Sequence, residues 1–319
     1  MFFTTRRSLR HAPLVVALTL LVTPVKAADL SGLVDIGGGR KMYLECSGTG
    51  SPTVVLISGK GNGAADWSEV LDPADPARHA DYDAVAWGKG DLHKSDAAVF
   101  PMVSRFTRVC AYDRPGVRLD GPDQSTPVDQ PHPAEQAADD LHRLLIAGGE
   151  TGPYVLVPHS YGGVVATLFA RTWPNEVDGL VMVDTVTPLM REIASPEALA
   201  KWDAVNRRSV PEAPEGVMLL DAFAKVDAAV PLRELPAVVL SSDKPWQPPS
   251  APKDSDPAAG VTFADWQASE KLLAKSLDAR FVTKTNSGHN IYAYSPQLVI
   301  DAIREVVDAV RNGGPKVGP

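Results

Sequence analysis

The sequence predicts a single α/β domain in which a mostly parallel sheet is covered on both faces by helices. Three observations carry this. The short continuous apolar runs Thr53 to Ser58 (TVVLIS), Tyr154 to Val157 (YVLV) and Leu180 to Val183 (LVMV) have the composition of strands buried on both faces. Segments with apolar residues at helical spacing alternate with those runs. No internal repeat and no second domain interrupts the alternation.

Arg40 to Cys46 alternates and suits a half-buried strand, with turn signals at Gly37-Gly38-Gly39 before it and Gly48-Thr49-Gly50-Ser51-Pro52 after it. Thr53 to Ser58 follows as a buried strand, and Val109 to Tyr112 is a short one. Ala134 to Ala147 puts Ala138, Leu141, Leu144 and Leu145 on one helical face. The Tyr154 strand leads into a helix over Val164 to Trp173, which stops before Pro174. Leu180 to Val183 and Ala237 to Leu240 are strands, Trp266 to Leu277 is helical, and Arg280 to Thr283 is the last strand. Pro296 to Val310 is a long amphipathic helix. Two segments break the pattern. Residues 72–104 form an insertion, and residues 187–235 hold helical pieces (Pro196 to Val205, Val217 to Ala228) that suit a lid over a site. Pro245 to Pro257 is a loop.

The composition, 44% hydrophobic and 22% charged, excludes general disorder, and two cysteines exclude a disulfide scaffold. A formal net charge of -8 with no basic run beyond the N-terminus argues against nucleic-acid binding. Residues 1–27 read as a signal peptide: Arg6, Arg7 and Arg10 precede an apolar stretch from Ala12 to Val22, and Val25-Lys26-Ala27 is a small-x-small cleavage site. That stretch is short for a bilayer, which takes about 20 apolar residues. Thr5 to Arg10 also resembles a twin-arginine signal, so both export routes stay open. The mature chain, 28–319, is expected to be exported, periplasmic or secreted, with no stable membrane insertion. An oxidising compartment makes a Cys46–Cys110 disulfide possible; two buried free thiols are the other reading.

The sharpest feature is Tyr154-Val-Leu-Val-Pro158-His159-Ser160-Tyr161-Gly162-Gly163-Val164. A buried strand ends where a helix begins, with Ser160 at the turn, the context of a nucleophile elbow. Such a turn exposes the serine oxygen at the sheet edge, and the helix N-terminus favours developing negative charge. Pro158 stands where the first glycine of Gly-x-Ser-x-Gly is usual. A serine hydroxyl needs a base. Of the seven histidines, His11 lies in the leader, His142 on a helix, and His79, His93 and His132 in irregular segments. His159 adjoins the serine and is expected to point to the other face of the chain. His289, in Asn286-Ser287-Gly288-His289-Asn290, follows the last strand and reaches the edge where Ser160 emerges.

Over roughly residues 30–312 the chain resembles the α/β-hydrolase superfamily. The segments VDIGGGRKMYLECSGTGSPTVVLISGKG, RVCAYDRPG, YVLVPHSYGGVVATLFA, GLVMVDTVTP and SGHNIYAYSPQLVIDAIREVV carry the resemblance, as does the order Ser, acid, His. It implies the α/β-hydrolase fold with an eight-stranded sheet in the order 1-2-4-3-5-6-7-8 and a helical lid at about 187–235. Cys46 and Cys110 then lie on neighbouring strands. It implies a catalytic triad of Ser160, His289 and an acid. That acid is Asp184, at the end of the sixth strand, or Asp243, just after the seventh, where Ser242 takes the usual glycine place and Pro245 the usual acid place. Asp184 is preferred. It also implies an oxyanion hole made by the backbone N–H groups of Tyr161 and Lys60, the latter in Ser58-Gly59-Lys60-Gly61, where Ser58 replaces a common histidine. Asp113-Arg114-Pro115-Gly116 resembles a structural turn of the family.

The function these readings point to is a serine hydrolase cleaving a small-molecule carboxylic ester through an acyl-enzyme intermediate. No cofactor is implied, and no metal, since ligand-spaced Cys/His motifs are missing. A serine nucleophile argues against dehalogenase or epoxide hydrolase chemistry, which usually needs aspartate. One alternative is a small-peptide aminopeptidase of the proline-iminopeptidase type, whose amine pocket could draw on Glu192, Glu197, Asp203, Glu212, Glu215 or Asp221. Another is a catalytically silent binding protein on the same fold.

Overall fold

The structure, a computed structural model, describes Met1, residues 28–85, 90–118, 121–248, Ser250 and residues 260–314. The expected leader lies outside the described residues except for Met1, as does most of the Pro245–Pro257 loop.

Among the described residues ten strands run in chain order: β1 (Leu30–Gly37), β2 (Arg40–Ser47), β3 (Thr53–Ile57), β4 (Glu69–Leu71), β5 (Leu92–Lys94), β6 (Val109–Tyr112), β7 (Tyr154–Ser160), β8 (Val177–Thr185), β9 (Ala237–Leu240) and β10 (Arg280–Val282). Eight form one sheet in the order β1-β2-β6-β3-β7-β8-β9-β10; β4 and β5 pair separately. Within the eight this is the expected order 1-2-4-3-5-6-7-8. In this sheet β2 runs antiparallel to β1 and β6 and the remaining pairs are parallel, whereas β4 and β5 pair antiparallel. Cys46 and Cys110 are register partners on β2 and β6 and are joined by a disulfide.

The helices are α1 (Pro76–His79), α2 (Val99–Val103), α3 (Ala134–Ala147), α4 (Gly162–Thr172), α5 (Pro196–Asn206), α6 (Leu219–Ala228), α7 (Phe263–Ser276), α8 (Ile291–Tyr294) and α9 (Pro296–Arg311). Alternation along the central strands feeds two cores. Val55, Ile57 and Leu156 face α3, α4 and α7. Val54, Leu56 and Val157 face α2 and α9. The starts of α5 and α7 follow from their caps: Ser195 accepts from Ala198 N with Pro196 in the first turn, and Thr262 and Asp265 form a capping box. No described helix is long and apolar enough to cross a membrane.

β1 is the strand of the eight-stranded sheet that sequence patterning passed over. It is an edge strand whose burial alternates between half-buried and exposed, and Gly32 and Asp35 dilute its apolar signal. Residues 72–104, read only as an insertion, contain α1, α2, β5 and a buried carboxylate, Asp83, that reaches the site. Residues 187–235 form a 3-10 turn (Pro188–Glu192), α5 and α6 between β8 and β9.

Candidate active site

β7 is buried along its whole length and ends at Ser160, whose φ of +50° turns the chain sharply into α4. A non-glycine residue at positive φ is uncommon and marks a constrained position. Gly162 makes the turn possible, because a Cβ there would lie 2.3 Å from the carbonyl oxygen of Ile57. Pro158 takes the register position opposite Ile57 on β3.

His289 lies in the segment between β10 and α8 and is buried. Its Nδ1 is 2.7 Å from Oδ2 of Asp184. Asp184 is fully buried at the end of β8, with a φ of +46°. Its Oδ1 accepts from the backbone N–H of Ser242 at 2.7 Å, and its Oδ2 accepts from the Ser242 hydroxyl at 3.0 Å. Asp243, the alternative acid, faces elsewhere. It accepts from the backbone N–H groups of Ser287 (2.8 Å) and Asn286 (3.0 Å), so it pins the loop that leads to His289.

Three further groups surround this pair. Asp83 Oδ2 accepts from the His289 backbone N–H at 2.8 Å, and its Oδ1 accepts from the Tyr294 hydroxyl at 2.8 Å. His159 does not simply turn away from the site. Its Nε2 lies 3.1 Å from the His289 carbonyl oxygen, and its ring packs 4.6 Å from the His289 ring. A carbonyl only accepts, so Nε2 carries the proton in this bond. Burial, reinforced by the neighbouring His289, holds the His159 pKa well below its ordinary value, so the ring is neutral. Glu270 on α7 is fully buried, and its Oε1 accepts from Thr185 N and Thr185 Oγ1, both at 3.1 Å. Burial first, and then the Asp184 charge, push its pKa well up, which favours the neutral carboxylic acid.

The glycine-rich loop after β3 abuts the serine: a Cβ on Gly59 would lie 2.9 Å from the Cβ of Ser160. Ser58 braces that loop, donating to the Gly63 carbonyl and accepting from Trp67 Nε1. Arg114 donates to the carbonyls of Ser58 (2.8 Å) and Gly59 (2.6 Å) and is paired with Glu215. Neither the Lys60 nor the Tyr161 backbone N–H donates to an acceptor among the described residues. Lys60 Nζ donates to the carbonyl of Asn206 at the end of α5. Burial lowers the Lys60 pKa, and Glu215 partly offsets that.

Ser160, Tyr161, His289 and Lys60 share one cavity of about 440 Å3. Val186, Trp202, Val205, Val217, Leu219 and Trp266 give it an apolar wall, most of it from residues 187–235. A cavity of this size and character suits a small organic molecule. Of the acids suggested for an amine pocket, Glu212 and Glu215 reach the cavity. Glu215 is committed to Arg114, Asp203 and Asp221 to Arg207, and Glu197 to Lys201.

The structure therefore brings Asp184 to His289, lines one cavity with Ser160 and His289, and sets Asp243 apart. Asp83, His159 and Glu270 are the residues that sequence reasoning missed as parts of the site. His159 had a signal, adjacency to Ser160. Asp83 sits in a segment with no apolar period, and Glu270 reads as one more charge on a helix.

Comparison with known proteins places this architecture. A profile described as the Alpha/beta hydrolase family matches residues 54–302. An uncharacterized protein of Schizosaccharomyces pombe is 33% identical over 147 residues, 45% of this chain. The match spans 26% of that protein, so the chain covers about a quarter of that relative's length. A thermophilic esterase from Thermogutta terrifontis superposes with a TM-score of 0.50 at 20% identity, over 89% of this chain and 99% of that one. Carboxylesterase CesB from Bacillus subtilis superposes with a TM-score of 0.51 at 13% identity, over 89% and 92% of the two chains. At such identities these two likenesses are of fold.

Proposed function

The chain belongs to the alpha/beta hydrolase family, and from that premise we propose that it is an exported serine hydrolase that cleaves a small carboxylic ester. The observation that carries the reading is the 2.7 Å contact between His289 Nδ1 and Asp184 Oδ2 in a site whose cavity is also lined by Ser160. With Nδ1–H held by the carboxylate, Nε2 of His289 is the basic nitrogen. Ser160 Oγ attacks the acyl carbon, and Nε2 takes its proton. The carbonyl oxygen becomes an oxyanion held by the N–H groups of Lys60 and Tyr161 at the start of α4. His289 then protonates the departing alkoxide, leaving an acyl group on Ser160. In the second half a water gives its proton to His289 and adds to the acyl carbon. The Ser160–acyl bond breaks, the proton returns to Ser160, and the carboxylic acid leaves.

The ester reading is favoured over an aminopeptidase because arginines and a lysine already hold most of the acids an amine pocket would use. The esterase likenesses in fold agree with it. Export is supported by the composition of residues 1–27 and by the Cys46–Cys110 bond, which needs an oxidising compartment. The first test is labelling by a fluorophosphonate probe, with hydrolysis of p-nitrophenyl butyrate, for the wild type and Ser160→Ala. Labelling and turnover that both vanish in the variant are expected. A wild type that neither labels nor turns over would leave a binding protein, and faster cleavage of aminoacyl anilides than of esters would leave the peptidase. Secretion followed by N-terminal sequencing should give Ala28 first.

A further inference from the structure

We infer that Arg114 is the positioning residue that aims one oxyanion donor, and that Glu215 lends it to that task from the cavity's roof; this rests on the serine-hydrolase reading. The bond between Gly59 and Lys60 is not among the cis bonds, so its C=O and N–H point in opposite directions. Arg114 holds the Gly59 carbonyl at 2.6 Å and the Ser58 carbonyl at 2.8 Å. Fixing the Gly59 C=O toward Arg114 fixes the Lys60 N–H away from it, in a loop that abuts Ser160 and where Lys60 lines the same cavity as Ser160. A loop of free peptides could rotate that N–H out of line. A guanidinium gripping two successive carbonyls stops both peptides from turning, because its planar fork offers several donors in one rigid geometry.

The guanidinium is itself immobilised. It is buried and lies 5.4 Å from the ring centre of Tyr161, the residue that supplies the other donor. Glu215 takes Nε of Arg114 on one oxygen at 2.6 Å and the Gly61 backbone N–H on the other at 2.5 Å. Glu215 stands between α5 and α6, in the segment that supplies most of the apolar wall. One carboxylate therefore ties the roof of the cavity, the clamp and the far side of the oxyanion loop together. A second tie runs from Lys60 Nζ to the Asn206 carbonyl in the same segment. The roof and the oxyanion donor are built as one unit, so a roof that shifts takes the donor out of register.

The test separates aim from mere stability. Replacing a buried ion pair by apolar residues of similar size generally preserves folding, whereas removing one partner strands a charge. The double variant Arg114→Met with Glu215→Leu is therefore compared with Arg114→Lys, Glu215→Gln and the wild type, with thermal melts as the folding control. Loss of an oxyanion donor costs about 100- to 1000-fold in kcat. The double variant is expected to lose kcat on p-nitrophenyl butyrate by that factor with KM changed less than about threefold. Affinity for butylboronic acid, which forms a tetrahedral adduct on the serine, should fall in parallel. Glu215→Gln keeps one acceptor oxygen but turns an NH2 group toward either Arg114 or the Gly61 N–H, so it and Arg114→Lys should both fall between the wild type and the double variant. A folded double variant with wild-type kcat and boronate affinity overturns the inference. So does an equal loss in kcat and in substrate binding. Should the double variant not fold, Arg114→Lys decides in its place: boronate affinity at the wild-type level overturns the inference. A wild type inert to both boronate and fluorophosphonate overturns the hydrolase reading itself, and this inference with it.

Discussion

Replacing Asp184 by asparagine should abolish the base while leaving the site in place, and the reason lies in which atoms surround the carboxylate. The Ser242 backbone N–H donates to Oδ1 at 2.7 Å and can only donate, so that position must remain an oxygen. The asparagine NH2 group is then forced to the Oδ2 position, 2.7 Å from His289 Nδ1. It donates there, so Nδ1 must accept, and the imidazole proton moves to Nε2, the nitrogen that has to take the Ser160 proton. The geometry survives with the wrong tautomer. Such an exchange costs about 10,000-fold in kcat, about 5.4 kcal/mol of transition-state stabilisation. Asp243→Asn is the control. It loses an acceptor for one of the loop N–H groups of Asn286 and Ser287, which should cost about 1 kcal/mol of stability and less than about fivefold in kcat. The assay is steady-state hydrolysis of p-nitrophenyl butyrate at pH 7, with melts to confirm folding. An Asp184→Asn enzyme that kept more than about a tenth of wild-type kcat, or an Asp243→Asn enzyme that lost more than Asp184→Asn, would refute the reasoning.

Three other outcomes follow from the same neighbourhood. Glu270 has a pKa raised above its unfolded value, so its contribution to stability is full below the unfolded pKa and is lost as pH rises through the folded one. Glu270→Gln keeps the acceptor for Thr185 and cannot ionise, so its melting temperature should exceed that of the wild type by a margin that grows from pH 5 to pH 8, to about 3 °C or more. A margin that stays flat or shrinks with pH would show that the Glu270 pKa is not raised. Asp83→Ala strands the His289 N–H and the Tyr294 hydroxyl, for about 2–4 kcal/mol by denaturant melts. Asp83→Asn can still accept from the first and donate to the second, so it should cost under about 1 kcal/mol; equal losses in the two variants would deny the carboxylate this role. With p-nitrophenyl esters of increasing chain length, kcat/KM should rise about fourfold per methylene buried, then fall once the 440 Å3 cavity is full, so that butyrate and hexanoate outrun palmitate. A rise that continues to palmitate would mean that the roof opens.

The strands buried on both faces and the long amphipathic α9 were legible because burial alone dictates their patterns, continuous apolar runs and a 3.6-residue period. α3 begins and ends where its apolar spacing says it should, at Ala134 and Ala147. β1 was not legible, because an edge strand half open to water needs no strong apolar signal. Ser160 could be read from the turn it occupies, where strand and helix patterns meet. Asp184 is preferred over Asp243 as the partner of His289 because Asp243 sits two residues short of the usual acid place, but a carboxylate's role depends on which loop end it meets across the sheet, and that no local pattern shows. Asp83 lies about 200 residues from His289 in sequence, and only the chain's path through the insertion brings them together.

Ser242 shows how a departure from a family pattern can carry the same logic as the pattern. It stands in the place usual for a glycine, three residues before the place usual for the acid, which Pro245 occupies with no carboxylate at all. Judged at β9 alone, the segment looks like a damaged acid site. With Asp184 at the end of the neighbouring β8, the substitution gains a purpose. A glycine at 242 would offer Asp184 one backbone N–H; serine offers that N–H and a hydroxyl, and both are used. A carboxylate with no exposure needs donors for its oxygens, since an unpaired buried charge costs several kcal/mol. Ser242 and His289 supply three contacts between them, and burial together with the Asp184 charge pushes the Glu270 pKa up, against a second charge beside them. Moving the acid one strand along therefore carries its own requirement: the strand it leaves must give back a donor, and position 242 does.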